Sequence, residues 1–347
     1  MTTTTTTSEP KLTDAENEAN RKAKSARLRR RILSSSPLLM TGVLVILIAV
    51  FTIARPDSFP SFANFRNILM DMSVLLVMAV GITYVMVAAG FDLSIGSVLV
   101  FAQVCAAKMM TLVGGQGLWT VLVGVLTATV AGTAWGLFNG VVIAKLKVPA
   151  LITTLGSLGA ALGVAYLITN GADVRGVPKA LRTISAANFL GLKWIIWIAA
   201  LVAIVGGLIL AFTKFGRHTY IIGSNAEAAR RAGINVDRHL IKLYAIAGAL
   251  AGFAGFLSLI RYGTTTIGGH GTDSLAVITG VVLGGTSLFG GIGIVAGTVV
   301  GLFIPTVLNN GFVVMNVEAF WQQVAIGLIL IAAVYIDQLK RRRRNQA

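Results

Sequence analysis

The chain has 347 residues, of which 55% are hydrophobic and only 12% are charged, and its mean hydropathy is +0.81. Soluble domains carry roughly a quarter charged residues, so this composition excludes an ordinary globular enzyme and indicates a protein that crosses a membrane repeatedly. The net charge is +16, and much of it lies near the two ends beside apolar segments, which is typical of membrane orientation and lipid contact rather than nucleic-acid binding.

The chain begins with a polar tail. Residues 1–36 contain a run of Thr, eight Lys or Arg and four acidic residues. This composition predicts a disordered, basic cytosolic tail. A second basic tail, which includes "KRRRR", is expected at 339–347, and the transmembrane domain is expected between the tails at 37–338.

Apolar segments fill the region between the tails and predict an all-α polytopic membrane protein. Ten such segments cover residues 38–54, 68–89, 95–113, 118–144, 148–169, 192–213, 241–260, 274–289, 293–311 and 319–337. The eighth is short and rich in glycine, so eight crossings remain an alternative to ten. Asp71 is expected in the first turn of the second segment, where a carboxylate complements the helix dipole.

The distribution of basic residues tests this topology. With both ends inside, the inner loops and tails hold 21 Lys or Arg and the outer loops hold seven, while Lys108 lies within the third segment. Because Lys and Arg are enriched on the cytoplasmic side, the bias predicts an even number of crossings and two cytoplasmic termini.

The stretch "AAGFDLSIGS" at 88–97 places a carboxylate between two apolar segments. An ionised Asp exposed to lipid at the membrane centre costs about 2.5–3.5 kcal/mol on insertion scales, so Asp92 is expected at an interface, in a cavity or paired. In one interpretation Asp92 is the N-cap of the third segment and Ser94 adds a hydroxyl. In the other, a broken helix faces a water-filled path.

The predicted inner loop at 214–240 contains "GSNAEAARRAG". Ser224 and Glu227 have the spacing of a capping box, the alanines favour a helix and Gly233 favours a left-handed stop. A helix of about two turns is not stable alone. It is therefore either a capped connector or a docking helix with Arg230 and Arg231 at its rim.

Two glycine-rich stretches follow. "GALAGFAGF" (248–256) has small-xxx-small spacing, which predicts close helix packing within the chain, with a subunit interface as the alternative. "GIGIVA" (291–296) fits a dinucleotide fingerprint, but its flanks are apolar runs and not a strand, so we expect a tight turn or a broken helix.

Several chemistries have no sequence support. The sequence has no G-x-x-x-x-G-K-[ST] motif, no nucleophile–base pair and no metal-ligand spacing among its three histidines, so no enzymatic activity, cofactor or metal site is expected. If the chain takes part in ATP-driven transport, another chain must bind the ATP.

These motifs together resemble one family. "GRHTYIIGSNAEAARRAGINV" (216–236) resembles the cytosolic loop of ABC-importer permeases of the ribose and simple-sugar group. Glu227-Ala228-Ala229 followed by Gly233 matches their EAA-x-x-x-G pattern. "GFDLSIGS" (90–97), "VVLGGTSLFGGIGIVAGTVVG" (281–301) and "LNNG" (308–311) are similar to other stretches of the family, and the resemblance extends from about 40 to 337. The I-x-L-P ending of the wider EAA consensus is absent, and "NVDRHLIKLY" stands there.

The resemblance implies a function and a set of partners. It implies a permease subunit in a bacterial plasma membrane, with a second permease copy or paralogue, ABC ATPase subunits and an extracytoplasmic sugar-binding protein. The coupling residues that it implies are Ser224, Glu227, Ala228, Ala229, Arg230, Arg231 and Gly233.

A sugar path is expected to be wet and largely uncharged, because sugar hydroxyls exchange hydrogen bonds with polar side chains. The pathway candidates are Asp92, Ser94, Ser97, Gln103, Asn139, Thr153, Thr154, Thr286, Ser287, Asn309 and Asn310. Helix–helix hydrogen bonding is the alternative role for each.

Three rival functions remain open. An ABC permease for an amino acid, a nucleoside or a sugar-like signal is the nearest of them. An ion-coupled secondary transporter would need coupling-ion residues near the middle of the membrane. A membrane-embedded enzyme would need a catalytic constellation.

Overall fold

The computed structural model describes residues 36–345. The prediction for the N-terminal tail therefore lies, apart from Ser36, outside the described residues, and so does the very end of the C-terminal tail. In chain order the helices are α1 (Ser36–Ala54), α2 (Phe62–Val87), α3 (Ile95–Val113), α4 (Leu118–Ala144), α5 (Ala150–Thr169), α6 (Lys179–Ala186), α7 (Trp194–Phe212), α8 (Lys214–Ser224), α9 (Ala226–Arg231), α10 (Val236–Tyr262), α11 (Asp273–Leu283), α12 (Val295–Val314) and α13 (Ala319–Asn345). Two short antiparallel strands, β1 (Asn188–Phe189) and β2 (Leu192–Lys193), lie between α6 and α7.

The all-α polytopic fold is confirmed. Within residues 36–345, seven helices are long and apolar enough to cross a membrane, namely α2, α3, α4, α5, α7, α10 and α12. Shorter apolar helical stretches cover Met40–Ala54, Asp273–Leu283 and Phe320–Tyr335. All ten predicted segments thus contain a helix, while ten complete crossings stay a prediction.

The helix in the eighth segment is shorter than the predicted extent of 274–289. This helix, α11, has 11 residues, which is about 16 Å at 1.5 Å per residue and about half of a hydrocarbon core. The chain then leaves the helix, and Gly285, Gly290 and Gly291 adopt positive φ. This break agrees with the tight turn or broken helix predicted for "GIGIVA".

Two helices, α2 and α10, begin at least five residues before their predicted apolar segments, because polar residues cap them. Ser61 accepts the backbone N–H of Asn64 at 3.2 Å, so α2 begins at Phe62 and not near residue 68. Asp71 therefore lies in the third turn, where it forms an ion pair with Arg261, and the expected dipole role is wrong. In the same way Asn235 accepts the backbone N–H of Arg238 at 2.9 Å and starts α10.

Glycines hold α10 against α4. A Cβ atom added to Gly248 would lie 2.3 Å from the carbonyl oxygen of Gly132, and one added to Gly252 would lie 2.1 Å from that of Ala128. Only glycine permits backbones to approach this closely. The prediction that "GALAGFAGF" packs within the chain is confirmed.

The bundle has two distinguishable ends. The coupling end carries α8 and α9, and the distal end carries the loop at 170–191. After α10 reaches the distal end, residues 263–272 turn back toward α11, and we call them the return segment. Asp173 of the distal loop holds this segment, because its Oδ1 accepts hydrogen bonds from Thr265 Oγ1 at 3.0 Å and from the Ile267 N–H at 2.9 Å.

Candidate functional site

Asp92 shapes the turn between α2 and α3. Its side chain is 4% exposed, and Oδ1 accepts hydrogen bonds from the Ser94 N–H at 2.9 Å and from Ser94 Oγ at 2.6 Å. The N-cap of α3 is Ser94, and Ser94 makes no side-chain cap bond. Asp92 accepts the backbone N–H two residues on, as the cap interpretation expects, but the expected N-cap position is wrong, because Asp92 lies two residues before the cap residue Ser94.

Two neighbouring helices bind this turn. Asn139 of α4 donates from Nδ2 to Ser94 Oγ at 2.9 Å. Tyr244 of α10 donates from its hydroxyl to the Phe91 carbonyl at 3.0 Å and accepts from the Phe91 N–H at 3.2 Å. Asp92 and Ser94 thus form one buried hydrogen-bonded group with Asn139, which the sequence singled out apart from them. Asn139 Oδ1 remains without a partner in this group.

The first turns of α3 and α11 meet. The Gly96 N–H donates to Ser274 Oγ at 3.0 Å, and a Cβ atom added to Gly96 would lie 2.8 Å from that oxygen. Ser97, the next residue, is 9% exposed. Both helices begin here, so their free N–H groups and the positive ends of their dipoles converge on one region.

His270 centres a polar cluster that the sequence analysis did not identify. Its ring is buried, Nδ1 lies 2.6 Å from Asp273 Oδ2, and Nε2 lies 3.0 Å from Ser258 Oγ and 2.8 Å from Thr266 Oγ1. The spacing of His270 and Asp273 in "GGHGTD" was a usable local signal. The contact with Ser258 was not, because it depends on the return segment folding back against α10.

The other pathway candidates are dispersed. Gln103 of α3 is fully buried, and neither of its amide atoms has a hydrogen-bond partner. Thr154 donates to the Ala150 carbonyl at 2.8 Å within α5, and Thr153 Oγ1 lacks a partner. Asn310 donates to Asn64 Oδ1 at 2.9 Å, and the neighbouring Asn309 Oδ1 is unpaired. Among the described hydrogen bonds, none joins these residues to the Asp92 group.

The predicted coupling helix is α9, but its cap is Asn225. Asn225 Oδ1 accepts the Ala228 N–H at 2.9 Å, while Ser224 is the last residue of α8, so the predicted Ser224–Glu227 capping box is wrong by one residue. The predicted left-handed stop is confirmed, because Gly233 has φ +81°. The side chain of Ala229 is fully buried against the protein.

The outer face of α9 is exposed and charged. Glu227 and Arg231 form an ion pair of 3.1 Å in which their side chains are 72% and 79% exposed. Arg230 pairs with Asp237 at 3.2 Å, and Lys147 reaches the same carboxylate oxygen at 2.9 Å. Exposed pairs of this kind add little to stability, so the face is available for contact with another molecule.

Helix α8 contacts the end of α2, which leads to α3, and the segment that connects α11 to α12. A Cβ atom added to Gly223 would lie 1.8 Å from the Val87 carbonyl oxygen at the end of α2, and that oxygen also accepts the Gly291 N–H at 2.8 Å. Tyr220 donates to the Gly293 carbonyl at 2.6 Å. Burial raises the pKa of the Tyr220 phenol, which therefore remains a donor. A displacement of α8 would act directly on both neighbouring segments.

Comparison with known proteins gives one family and several relatives. The family described as "Branched-chain amino acid transport system / permease component" matches residues 64–334. The chain is 36% identical over 312 residues to the L-arabinose transport system permease protein AraH of Escherichia coli K12, covering 89% of this chain and 91% of AraH. It is 35% identical to the ribose import permease protein RbsC of Haemophilus influenzae (85% and 90% covered) and 34% identical to the galactose/methyl galactoside import permease protein MglC of the same organism (87% and 94% covered). No solved structure matches the chain.

Proposed function

The chain belongs to the family of permease components of branched-chain amino acid transport systems, and from that premise we propose that it forms the membrane pathway of an ATP-driven importer for a monosaccharide. The observation that carries this proposal is similarity over at least 85% of the chain to permeases named for arabinose, ribose and galactose. The proposed cargo is therefore a simple sugar.

We assign ATP binding and hydrolysis to a partner chain. The sequence has no phosphate-binding Gly-Lys motif, and α9 presents Glu227, Ala228 and Arg231 on an exposed face while only Ala229 is buried. We take α9 to be the surface on which an ABC ATPase docks. ATP-driven closure of two ATPase subunits would then push α8 and α9 against the end of α2 and the segment that connects α11 to α12.

Location and further partners follow from the same premise. The coupling end would face the cytoplasm of a bacterium, with both termini on that side of the plasma membrane. The distal end would receive sugar from an extracytoplasmic binding protein, and a second permease copy or paralogue would complete the pathway. The hydrogen-bonded group of Asp92, Ser94 and Asn139 would line its cytoplasmic part, since hydroxyl, amide and carboxylate groups are suitable partners for a sugar.

A different small polar solute is the second candidate. The family description names branched-chain amino acids, and the chain is 35% identical over 266 residues to an autoinducer 2 import system permease protein of Photorhabdus laumondii. The solute therefore has to be tested directly.

The test is uptake into vesicles that contain the chain, its ATPase and its binding protein. We expect labelled arabinose, ribose or galactose to accumulate only when ATP is supplied on the ATPase side. Accumulation of leucine instead would favour the second candidate. Accumulation by the chain alone, driven by an ion gradient, would refute the importer and favour a secondary transporter. Loss of ATPase association in a variant with Glu227→Ala and Gly233→Ala would support docking at α9.

A further inference from the structure

A polar column crosses the apolar bundle from one end to the other. It begins at Asn139, five residues before the coupling end of α4, and passes through Ser94 to the start of α3. It continues from Gly96 to Ser274, then through the adjacent Asp273 to the His270 cluster. Thr265 and Asp173 connect the return segment to the distal loop. Its polar side chains are buried at Asn139, Ser94, Ser274, His270 and Thr265, whereas Asp273 is partly exposed and Asp173 is exposed at the distal end. Apolar side chains would pack at the buried positions at lower cost.

The return segment exposes backbone beside this column. Gly268, Gly269 and Gly271 are exposed, and no atom lies within 4 Å of a Cβ added to Gly268 or Gly271. His270, between these glycines, contacts Ser258, which lies one helical turn inside the end of α10. Non-helical backbone at membrane depth is tolerated only where it meets protein or water. The exposed side of the return segment therefore faces a water-filled space or another protein, and not lipid.

Gln103 provides an independent sign of a ligand. Its amide is fully buried, and neither the nitrogen nor the oxygen has a partner. Gln103 lies on the same face of α3 as Gly96, two turns further along, and its backbone is packed against Gly255, one turn before Ser258. A buried amide without partners is unfavourable unless a ligand or water satisfies it.

The chemistry of the cluster suits hydroxyl groups. With Asp273 holding Nδ1, the Nε2 atom of His270 is directed at the Ser258 and Thr266 hydroxyls, and each of these hydroxyls keeps a further hydrogen-bonding position. The Gln103 amide adds both a donor and an acceptor. Donors and acceptors of these kinds suit a small uncharged molecule with several hydroxyls.

We propose, resting on the function inferred above, that the permease itself recognises the cargo sugar. The binding site, which we call the station, lies where α3, α11 and the return segment meet. Ser258, Thr266, His270 and Gln103 are its specificity-determining side chains, and they bind individual sugar hydroxyls during passage. Specificity then resides in the membrane domain as well as in the binding protein.

The test compares a sugar with analogues that lack one hydroxyl. The complete complex is reconstituted in vesicles, and the rate of ATP-driven uptake is measured for whichever of arabinose, ribose or galactose is transported and for its deoxy analogues. The wild-type chain should prefer the parent sugar. Ser258→Ala and Gln103→Leu should each lower the ratio of the parent uptake rate to the analogue uptake rate by at least about fivefold for a single analogue. The reason is that the side chain that binds the hydroxyl missing from that analogue is itself absent from the variant.

Ser73→Ala is the matched control. Ser73 is also buried, but its hydroxyl donates to the Leu69 carbonyl of its own helix at 2.6 Å, so this variant should keep the wild-type ratio. The same binding protein is used throughout, so its own selectivity cancels. His270→Gln extends the test, and if that variant does not assemble, Ser258→Ala and Gln103→Leu still decide.

Unchanged ratios in Ser258→Ala and Gln103→Leu, with normal uptake by the wild type, would overturn the station and leave the proposed function intact. Absence of sugar uptake by the wild-type complex would overturn the proposed function itself.

Discussion

At the residue scale, Asp92 works as a hydrogen-bond acceptor for Ser94, and the charge of its carboxylate has no cationic partner among the described contacts. We expect Asp92→Ala to release Ser94, to cost about 1–3 kcal/mol of stability and to lower sugar uptake several-fold while the complex still assembles. Asp92→Asn keeps an acceptor oxygen and should stay within about twofold of wild type, because a neutral acceptor still makes a net-stabilising hydrogen bond. Vesicle uptake and thermal melting in detergent measure the two effects. Normal uptake by Asp92→Ala would exclude a role in transport.

Tyr244 tests the same turn from α10. Its hydroxyl satisfies both backbone groups of Phe91, at 3.0 and 3.2 Å. Tyr244→Phe leaves these groups without that partner in a buried site, so it should destabilise the protein by about 1–3 kcal/mol and lower the melting temperature. The apparent Tm of the purified protein measures this. A wild-type Tm would show that Phe91 finds another partner.

At the element scale, the contact between α4 and α10 is sensitive to side-chain size. Gly248→Val places a Cβ atom 2.3 Å from the Gly132 carbonyl oxygen, and overpacking of this kind costs about 1–3 kcal/mol or more. We expect the variant to give little monodisperse protein in size-exclusion chromatography. Gly156→Val on α5 is the control, because nothing lies within 4 Å of its Cβ position. Equal yields from both variants would contradict the role of the glycine contact.

Helices could be predicted from the sequence where hydrophobicity decides them, and not where packing does. The bounds of α3 and α4 coincide with their apolar segments, because a glycine or a polar residue stands directly before and after each of them. Helix α8 was missed, since its glycines and β-branched residues disfavour a helix locally. It forms because Gly216 and Gly223 sit directly on the carbonyls of Leu210 and Val87.

The same distinction applies to the candidate site: single residues could be predicted from the sequence, but contacts that depend on packing could not. Asp92, Ser94 and Asn139 were identifiable because polar residues inside apolar segments are conspicuous, but their mutual contact depends on how α3 and α4 pack. His270 was passed over as one of three scattered histidines, since nothing local indicates that the return segment brings it to Ser258. The cap of α9 was misplaced by one residue because Ser224 and Asn225 are both good N-cap residues, and the continuation of α8 through Ser224 leaves Asn225 as the cap.

At the scale of the whole molecule, the coupling end differs from the rest of the protein because α9 adds almost nothing to the core. Ala229 is its only buried side chain, and its ion pairs are exposed. A helix retained for stability would bury more, so a partner molecule is the simpler explanation of its charged face. A docking helix can be distinguished from a plain connector by a variant that reverses the charges of the exposed ion pair on α9 and keeps the pair itself.

The decisive variant combines Glu227→Arg with Arg231→Glu. The two side chains still pair across one helical turn, and the changed fit to the helix dipole costs only about 0.3–1 kcal/mol per charge, so the permease should fold and keep its Tm. A docked ATPase would instead meet reversed charges, and like-charge contact at an interface costs several kcal/mol. We therefore expect co-purification of the ATPase to fall at least about tenfold, and ATP-driven uptake to fall with it. Arg217→Glu, on the exposed surface of α8 outside this pair, tests whether a charge reversal anywhere on the coupling end has the same effect, and it should leave co-purification near the wild-type level. If the ATPase bound the reversed helix as well as the original, α9 would be a connector and the contact that drives transport would have to lie elsewhere on the coupling end.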